Sequence, residues 1–253
     1  MKTFAFHLQK GGVGKTTLSC SVAYECSLKG RTIVIDVDPQ GNTSSWFLGN
    51  KSSPKYELAN VLYGKADPSE AILPTAVNNL DIIPTFGIGG ELKTYGENQL
   101  ANEPFIFVDL LESLSKLGYE YAIFDLSPGM GRLERSALIS TDEVITPMTP
   151  EAFSLDGIEI FIDALEKSSK AMRRGPVHNK IILNAYNKNI DQHNTILEQA
   201  RKIKGFELFV IGVEPAFRKS QALSIPVQSL SYKEKAKDES LKTLKTIGES
   251  LCQ

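Results

Sequence analysis

The segment Lys10-Gly11-Gly12-Val13-Gly14-Lys15-Thr16-Thr17 follows an apolar run and precedes a stretch, residues 18–28, that we predict to be a helix. A glycine-rich turn between a strand and a helix exposes consecutive backbone N–H groups at the positive end of the helix dipole, which favours phosphate binding. Glycine is needed there because a Cβ atom would block positive φ angles and the close approach of phosphate oxygens. The segment therefore predicts a phosphate-binding loop (P-loop), in which Lys15 reaches the β- and γ-phosphates of a nucleotide and the Thr16 hydroxyl binds Mg²⁺.

The glycines of this P-loop are not spaced as in the ordinary pattern G-x-x-x-x-G-K-[ST]. That pattern requires a glycine where this chain has Gln9, and the chain carries a second lysine, Lys10, directly before its glycines. The form K-G-G-x-G-K-T-T is the deviant Walker A motif of the ParA/MinD group of ATPases, which the chain resembles. A glycine-rich turn without a ligand is the alternative, but the two lysines and Thr16 stand in register with the motif. The resemblance implies ATP and Mg²⁺ as ligands and a nucleotide-binding loop of Lys10, Gly11, Gly12, Val13, Gly14, Lys15, Thr16 and Thr17.

Composition places the chain among ordinary globular proteins. Its 253 residues suffice for one α/β domain with a sizeable core, which we predict to span residues 1–253. The net charge of −2 means that any nucleic-acid binding must come from a local basic patch. There is no signal peptide and no apolar run near the length of a membrane span, and the three cysteines form no C-x-x-C pair. A cytoplasmic protein with reduced thiols is expected.

Short β-rich runs alternate with helical stretches along the whole chain, without a linker or an internal repeat. This alternation predicts a single-domain, doubly wound and mostly parallel sheet with helices on both faces, in which ligands bind beyond the carboxyl ends of the strands. Residues 50–79 are less regular and are predicted to form short helices over the sheet edge. Strands are predicted at residues 3–8, 32–36, 80–84, 121–125, 143–147, 180–184 and 207–213, and the longer helices at 18–28, 105–116, 154–172 and 190–204.

The second motif, Asp36-Val37-Asp38-Pro39-Gln40-Gly41-Asn42, places two carboxylates at the end of an apolar strand. It matches the D-x-D-P-Q-G-N switch I segment of ParA proteins without a mismatch. The resemblance implies that Asp38 positions the water that attacks the γ-phosphate and that Asp36 supports the Mg²⁺ shell, which suits phosphoryl transfer. The alternative is an Asp-Pro turn that merely ends a strand, which is common in proteins.

The third motif is an apolar strand, residues 121–125, that ends at Asp125 and follows the Walker B pattern. Asp125 would hold Mg²⁺ directly or through water. The family usually has D-x-P-P-S or D-x-P-P-G here, and Ser127 replaces the first proline, so switch II lacks the φ restriction that proline imposes. A carboxylate that only caps the following helix is the alternative.

Later segments of the chain also resemble the family. Residues 147–157 resemble its P-x-x-x-E-x-x-x-L-x-G segment, with Glu151 in the acidic position. Asn184 ends a predicted strand where related ATPases contact the adenine, and Pro215 lies in a turn whose backbone borders the base. Asparagine and proline also end strands for many other reasons, so these two assignments depend on the resemblance.

DNA-binding residues are likewise implied by the resemblance. Arg218-Lys219-Ser220-Gln221-Ala222 resembles the family's R-L-S-E-A segment, whose arginine touches DNA, and Lys188 falls near another family arginine. Contacts of Lys188, Arg218 and Lys219 with phosphates would be sensitive to salt and independent of base sequence. Further lysines near the end of the chain alternate with acidic residues, so a solvated helix face is the alternative for them.

The resemblance is to short, Soj-like ParA proteins and implies a molecular switch. ATP would order the switch segments in a sandwich homodimer, with Lys10 of each subunit reaching the phosphates in the other, and hydrolysis would end the dimer. Such dimers bind nucleoid DNA nonspecifically, and a ParB-like centromere-binding activator triggers hydrolysis to move a plasmid or chromosome. A MinD-like switch that positions a membrane or protein cargo is the alternative, although the C-terminal basic helix lacks the aromatic residues of a membrane anchor. A relative of the nitrogenase iron protein would need paired cysteine ligands, which the sequence does not supply.

Overall fold

The computed structural model describes residues 1–49, 54–100, 103–151, 154–231 and 233–253, which form a sheet of eight strands with helices on both faces. The strands are β1 (Lys2–Phe6), β2 (Thr32–Asp36), β3 (Leu73–Pro74), β4 (Leu80–Ile83), β5 (Tyr121–Asp125), β6 (Glu143–Met148), β7 (Val177–Tyr186) and β8 (Glu207–Gly212). Their order across the sheet is β3-β4-β2-β5-β1-β6-β7-β8, and only the β3–β4 pair is antiparallel. The predicted α/β fold with a mostly parallel sheet is confirmed.

The helices divide into two layers, one on each face of the sheet. They are α1 (Lys15–Ser27), α2 (Asn42–Leu48), α3 (Leu58–Leu62), α4 (Pro68–Ala71), α5 (Leu92–Asn98), α6 (Ile106–Lys116), α7 (Arg132–Ser140), α8 (Ser154–Met172), α9 (Asp191–Ala200), α10 (Ala216–Leu223) and α11 (Asp238–Cys252). Side chains of a strand point alternately to the two faces. Thus Ala122 and Phe124 pack under α3 to α9, whereas Tyr121 and Ile123 pack under α1, α2, α10 and α11. Burial of each large apolar side chain in these two cores contributes about 1.5–3 kcal/mol.

The predicted strands are all present, and their ends differ from the prediction by a few residues. Strand β3 was missed because two residues are too few to show a pattern. Helix α1 begins at Lys15 rather than at residue 18, because the last P-loop residues already form its first turn. Between residues 54 and 79 the predicted short helices are α3 and α4. Residues 50–53 of that region, and residues 152 and 153 of the segment that contains Glu151, lie outside the described residues.

The strand order brings the three sequence motifs to one edge of the sheet. Strand β5 lies between β1, which leads into the P-loop, and β2, which leads into switch I. At the carboxyl ends of these strands, Asp125 is the register partner of Phe6 on one side and of Asp36 on the other. Residues that are far apart in the sequence therefore meet around Asp125.

Across the described ranges, no helix combines the length and the hydropathy that a membrane-crossing segment needs.

Candidate active site

The P-loop wraps around the side chain of Lys15. Its glycines adopt backbone angles that other residues rarely adopt, with φ of 76° at Gly12 and 96° at Gly14. A Cβ atom on Gly14 would also lie 2.4 Å from Nδ2 of Asn184, which packs against the loop. The ammonium of Lys15 donates to the backbone oxygen of Lys10 at 2.8 Å and to that of Leu8 at 3.4 Å. Burial lowers the pKa of Lys15, with opposing contributions from nearby carboxylates.

Lys10, the second lysine of the motif, points away from this loop. Its Nζ forms an ion pair with Oε2 of Glu151 at 2.7 Å, and the Lys10 side chain is 32% exposed. The hydrogen bond from Lys10 lowers the pKa of Glu151. In this single chain, the lysine that would act in a second subunit is therefore held by an acidic residue of its own subunit.

Asp125 joins the P-loop to switch I. Its Oδ2 accepts hydrogen bonds from the hydroxyl of Thr16 at 2.7 Å and from that of Thr43 at 2.6 Å. The other oxygen, Oδ1, is buried and has no hydrogen-bond partner among the described residues. Burial raises the pKa of this fully enclosed carboxyl to about 6, although the two hydroxyls oppose the shift. A buried carboxylate oxygen without a partner, next to a threonine hydroxyl, is a suitable ligand set for a hard divalent cation.

Asp36 holds switch I in place through contacts of its own. Its Oδ2 accepts from the backbone N–H of Ser44 at 2.8 Å and from the Ser44 hydroxyl at 2.6 Å, while Oδ1 accepts from the N–H of Asp38 at 3.2 Å. Burial and the neighbouring Asp125 raise its pKa. The described contacts thus use both oxygens of Asp36 for local structure, and its role in the Mg²⁺ shell stays a prediction.

Asp38 lies at the start of the switch I turn and faces the site. Its Oδ1 accepts from the N–H of Gln40 at 2.9 Å, and burial raises the pKa of the carboxyl. The turn then passes through Gly41, whose φ is 65° and where a Cβ would lie 2.8 Å from the carbonyl oxygen of Thr85. Because glycine allows this approach, the switch I turn packs against the segment after β4 directly before α2 begins.

Switch II is held by a side chain that the sequence analysis did not single out. The hydroxyl of Ser127 donates to Oε1 of Glu134, and Oε2 of Glu134 accepts from the N–H of Gly131 at 2.8 Å. Ser127, which replaces the first proline of the family pattern, is therefore tied to helix α7. This hydrogen bond restricts switch II where proline would otherwise restrict it.

An open cavity of about 740 Å³ lies over the P-loop and brings six of its residues together with Asp38. A volume of this size suits a nucleotide-sized ligand. Asn184 donates from Nδ2 to the carbonyl oxygen of Val13 at 3.1 Å, and Pro215 precedes α10. The predicted nucleotide- and metal-site residues that do not line the cavity are Lys10, Val13, Asp36, Asp125, Asn184 and Pro215. The lining residues are Gly11, Gly12, Gly14, Lys15, Thr16, Thr17, Asp38, Gln40, Asn42, Ser45, Trp46, Pro128 and Gln221.

Two residues of the cavity wall that the sequence analysis did not assign to the nucleotide site, Trp46 and Gln221, connect the site to α10. The indole N–H of Trp46 donates to the carbonyl oxygen of Ile225, just after α10, at 3.2 Å. The amide of Gln221, on α10, donates to the hydroxyl of Thr17 at 3.4 Å. Of the site residues that the sequence analysis did not name, Thr43 and Ser44 could have been found from the sequence, because they directly follow the switch I motif.

The residues predicted to bind DNA lie on the surface, in two separate segments of the chain. Arg218 and Lys219 are exposed on α10, and Lys188 is exposed after β7. Lys219 forms an ion pair with Glu234 at 3.0 Å. Exposed lysines and arginines are compatible with phosphate contacts, but their roles stay predictions.

Comparisons of the sequence with known proteins find one family and many relatives. The family model described as an AAA domain matches residues 1–175, the part that carries the P-loop, switch I and Asp125. A protein of Borreliella burgdorferi, BBD21, is 36% identical over 253 residues, which is the whole of both chains. The chromosome partitioning protein ParA of Caulobacter vibrioides is 29% identical over 208 residues, which cover 80% of this chain and 74% of that protein.

Comparisons of the structure agree on the fold. The complex of McdA from Cyanothece with ATP has a TM-score of 0.85 at 18% identity, and the match covers 99% of this chain and 96% of McdA. The septum site-determining protein MinD of Pyrococcus horikoshii, complexed with Mg-ADP, has a TM-score of 0.76 at 24% identity, and the match covers 99% of this chain and 95% of MinD.

Proposed function

This chain belongs to the ParA/MinD group within the AAA domain family, and from that premise we propose that it is a partition ATPase. It binds ATP with Mg²⁺, hydrolyses it slowly, and forms a sandwich dimer while ATP is bound. In that state it binds DNA nonspecifically on the nucleoid, in the cytoplasm, and a ParB-like centromere-binding protein stimulates hydrolysis so that a plasmid or chromosome is moved. The observation that carries the proposal is Asp125, which receives hydrogen bonds from both the P-loop and switch I.

Nucleotide binding relies on the P-loop backbone and on Lys15. The loop from Lys10 to Thr17 offers its N–H groups at the N-terminus of α1, where the helix dipole favours negative charge. Lys15 is already directed into the loop by two backbone oxygens and supplies the cation for the β- and γ-phosphates. Asn184, near the end of β7, and Pro215, directly before α10, would border the adenine.

The residues around Asp125 fit Mg²⁺. Mg²⁺ usually binds through one or two protein oxygens together with phosphates and water, so it does not need a cage of acidic residues. Oδ1 of Asp125 and the hydroxyl of Thr16 would hold it, with Asp36 supporting switch I nearby. When bound, the ion neutralises charge on the β- and γ-phosphates.

Hydrolysis is assigned to Asp38 and to Lys10 of a second subunit. Asp38 lines the cavity over the P-loop and holds the attacking water in line with the γ-phosphate. Lys10 would leave Glu151 and neutralise charge that develops on the phosphates of the other subunit, as an arginine finger does. An enzyme completed only by dimerisation works as a timer, because hydrolysis removes the phosphate that holds the dimer together.

The contacts of Trp46 and Gln221 offer a route from the nucleotide to the DNA surface. Switch I leads into α2, and Trp46 of α2 donates a hydrogen bond to the carbonyl oxygen of Ile225, two residues after α10. Gln221 of α10 donates a hydrogen bond to the hydroxyl of Thr17 in the P-loop. Arg218 and Lys219 stand on the same short helix. A change of switch I on ATP binding would therefore shift the basic side chains that contact phosphates.

The alternative, a MinD-like switch on a membrane, requires an amphipathic helix with an available apolar face. In α11, Leu244, Ile247 and Leu251 are each no more than 2% exposed, because they pack in the core with α1 and the sheet. This observation favours DNA over a membrane as the surface to which the ATP-bound protein binds.

A comparison of DNA and liposome binding tests the proposal. Asp38→Ala should lower ATP hydrolysis by roughly 10²–10⁴-fold, the range expected for loss of a group that handles the water. The ATP-bound variant is then a lasting dimer that suits binding assays. We expect gel shifts of unrelated DNA sequences with ATP and not with ADP, weaker as salt rises, and no co-sedimentation with anionic liposomes.

Two outcomes would contradict the proposal. Liposome binding without a DNA shift would identify a membrane switch, and neither signal would indicate a protein cargo bound directly. Asp109→Ala is the matched control, because Asp109 is an exposed acid on α6 that does not line the cavity over the P-loop. Hydrolysis at the normal rate in Asp38→Ala would remove the role given to Asp38.

A further inference from the structure

Two of the three cysteines, Cys26 and Cys252, meet on the face of the sheet that α1 and α11 cover. Cys26 lies in the last turn of α1 and Cys252 ends α11. They are far apart in the sequence, but the thiol of each is hydrogen-bonded to that of the other. Cys20, the third cysteine, is buried elsewhere on α1, near Thr43.

The backbones of α1 and α11 pack closely together in the turns that carry the two cysteines. A Cβ atom on Gly248 would lie 2.4 Å from Cβ and 3.6 Å from Cα of Glu25, so only glycine allows this approach. Cys252 follows Gly248 by about one helical turn, and Cys26 follows Glu25 directly. A disulfide forms only where the Cα atoms lie within about 7 Å of each other. The close packing of α1 on α11, together with the hydrogen bond between the two thiols, makes this pair the candidate.

The two thiols differ in reactivity. Cys252 is half-buried, and the hydrogen bond from Cys26, a hydrogen bond from Tyr121 and the nearby Lys2 and Lys29 lower its pKa. Cys26 is fully buried, and its hydrogen bond to Cys252 together with burial raises its pKa well above the ordinary value. An accessible thiol that ionises easily, beside a buried thiol that does not, is the arrangement of an attacking and a resolving cysteine.

We infer that Cys26 and Cys252 form a thiol–disulfide modification site that reacts with small disulfides and covalently joins α11 to α1. The Cys252 thiolate attacks one sulfur of a small disulfide such as oxidised glutathione, forms a mixed disulfide and releases one glutathione thiolate. Cys26 then loses its proton and attacks the Cys252 sulfur, which releases the second glutathione. Two protein thiols are oxidised to one disulfide, and one glutathione disulfide is reduced to two thiols.

The bond would constrain the helix that begins with the phosphate-binding residues. Helix α1 starts at Lys15 and ends near Cys26, and α11 packs along it. In a reducing cytoplasm the dithiol is the resting form, and the disulfide would form under oxidising conditions. This inference does not depend on the proposed partition function.

Mass spectrometry of the native full-length chain treated with oxidised glutathione tests the inference. We expect the wild-type mass to fall by two hydrogens without a retained adduct, and peptide mapping to join the Cys26 and Cys252 peptides. Cys26→Ser should keep glutathione on Cys252, and Cys252→Ser should stay unmodified. Cys20→Ser is the control and should cross-link as the wild type does. Dithiothreitol should reverse the reaction.

The melting temperature provides a second readout. A disulfide that joins the native helices should raise the Tm by roughly 5–10 °C, and dithiothreitol should abolish the rise. Three free thiols after treatment, an adduct that persists on wild-type Cys252, or a cross-link lost in Cys20→Ser would each overturn the inference. So would a disulfide that leaves the Tm unchanged, because it would not join packed helices.

Discussion

The phosphate end of the sheet differs from the basic surface, by which we mean the exposed residues Lys188, Arg218 and Lys219, in how firmly the side chains are held. At the phosphate end, Lys15, Asp36 and Asp125 are each less than a tenth exposed, and each makes two or more hydrogen bonds. On the basic surface, Arg218 and Lys188 are exposed, and within the described ranges their side chains make no ion pair. A preorganised group contributes through its fixed position in the site, whereas exposed charges contribute through the total number of phosphate contacts that they make. Single substitutions should therefore have large effects at the first region and graded effects at the second.

The largest effect is expected at Lys15. Lys15→Ala should weaken ATP binding by about 100-fold or more, because it leaves phosphate charge unpaired in a partly enclosed site. Equilibrium titration with a fluorescent ATP analogue measures this loss. Lys15→Gln separates charge from structure, since an amide can still donate to the carbonyl oxygen of Lys10 but carries no charge.

Lys116→Ala is the matched control for Lys15, because Lys116 is exposed in the last turn of α6. It should bind ATP as the wild type does. Near-normal affinity in Lys15→Gln would show that the loop holds phosphates by its backbone alone, and would sink the role assigned to the lysine.

The next effect concerns Lys10, which belongs to the phosphate end but would act in the other subunit. Lys10→Ala should bind ATP within a few-fold of the wild type, stay monomeric in light scattering, and lose hydrolysis by on the order of 10²-fold or more. Glu151→Gln removes the ion pair of 2.7 Å and leaves the lysine, so this variant should dimerise at least as readily as the wild type. Wild-type dimerisation by Lys10→Ala would contradict action in trans.

The sequence analysis could assign the phosphate end to one site because its motifs are contiguous. The P-loop, switch I and Asp125 each carry their chemistry within a few neighbouring residues, and the parallel sheet brings strand ends together. The contacts of Thr43 with Asp125, of Lys10 with Glu151 and of Trp46 with Ile225 were not predictable, since each joins segments that are distant in the chain. The same holds for Cys26 and Cys252, which only the packing of α1 on α11 brings together.

The basic surface was less predictable for a physical reason. DNA phosphates can be reached by many arrangements of exposed cations, so no strict spacing is required. A lysine in the sequence does not reveal whether an acid neutralises it, and Lys219 proves to be paired with Glu234. Burial and ion pairing, which determine the available charge, depend on the tertiary structure.

The third prediction is that the charge of Asp125, which would bind Mg²⁺, destabilises the ligand-free fold. Burial raises the pKa of Asp125 to about 6 from an ordinary value of 3.8, so the folded state favours the protonated carboxyl. Its stabilising contribution is complete below about pH 3.8 and is lost as the pH rises through about 6, a change of about 3 kcal/mol. Asp125→Asn, which needs no charge, should therefore raise the Tm of the ligand-free protein at pH 8 by roughly 3–8 °C and have less effect at pH 5.

Scanning fluorimetry at the two pH values measures this difference. Asp109→Asn, at an exposed acid, should leave the Tm nearly unchanged at both. Mg²⁺ with ATP should stabilise the wild type and not Asp125→Asn, because the variant lacks the carboxylate that would hold the ion. A lower Tm of Asp125→Asn at pH 8 would show that the charged carboxylate stabilises the ligand-free fold.

The smallest effects are expected on the basic surface, where they should also be graded. Arg218→Glu should weaken the DNA affinity of the ATP-bound dimer several-fold at physiological salt, equally for unrelated sequences, and lower the salt dependence of log K by about 1–2 per subunit. Lys188→Glu should have a similar or smaller effect. Lys219→Glu should have the least, because Glu234 already neutralises part of its charge at 3.0 Å. ATP affinity should not change in any of the three, and Lys116→Glu controls for net charge. A loss of DNA binding as abrupt as the loss of ATP binding in Lys15→Ala, or a loss for some sequences only, would mean that Arg218 belongs to a preorganised site, and the contrast between the two regions would fail.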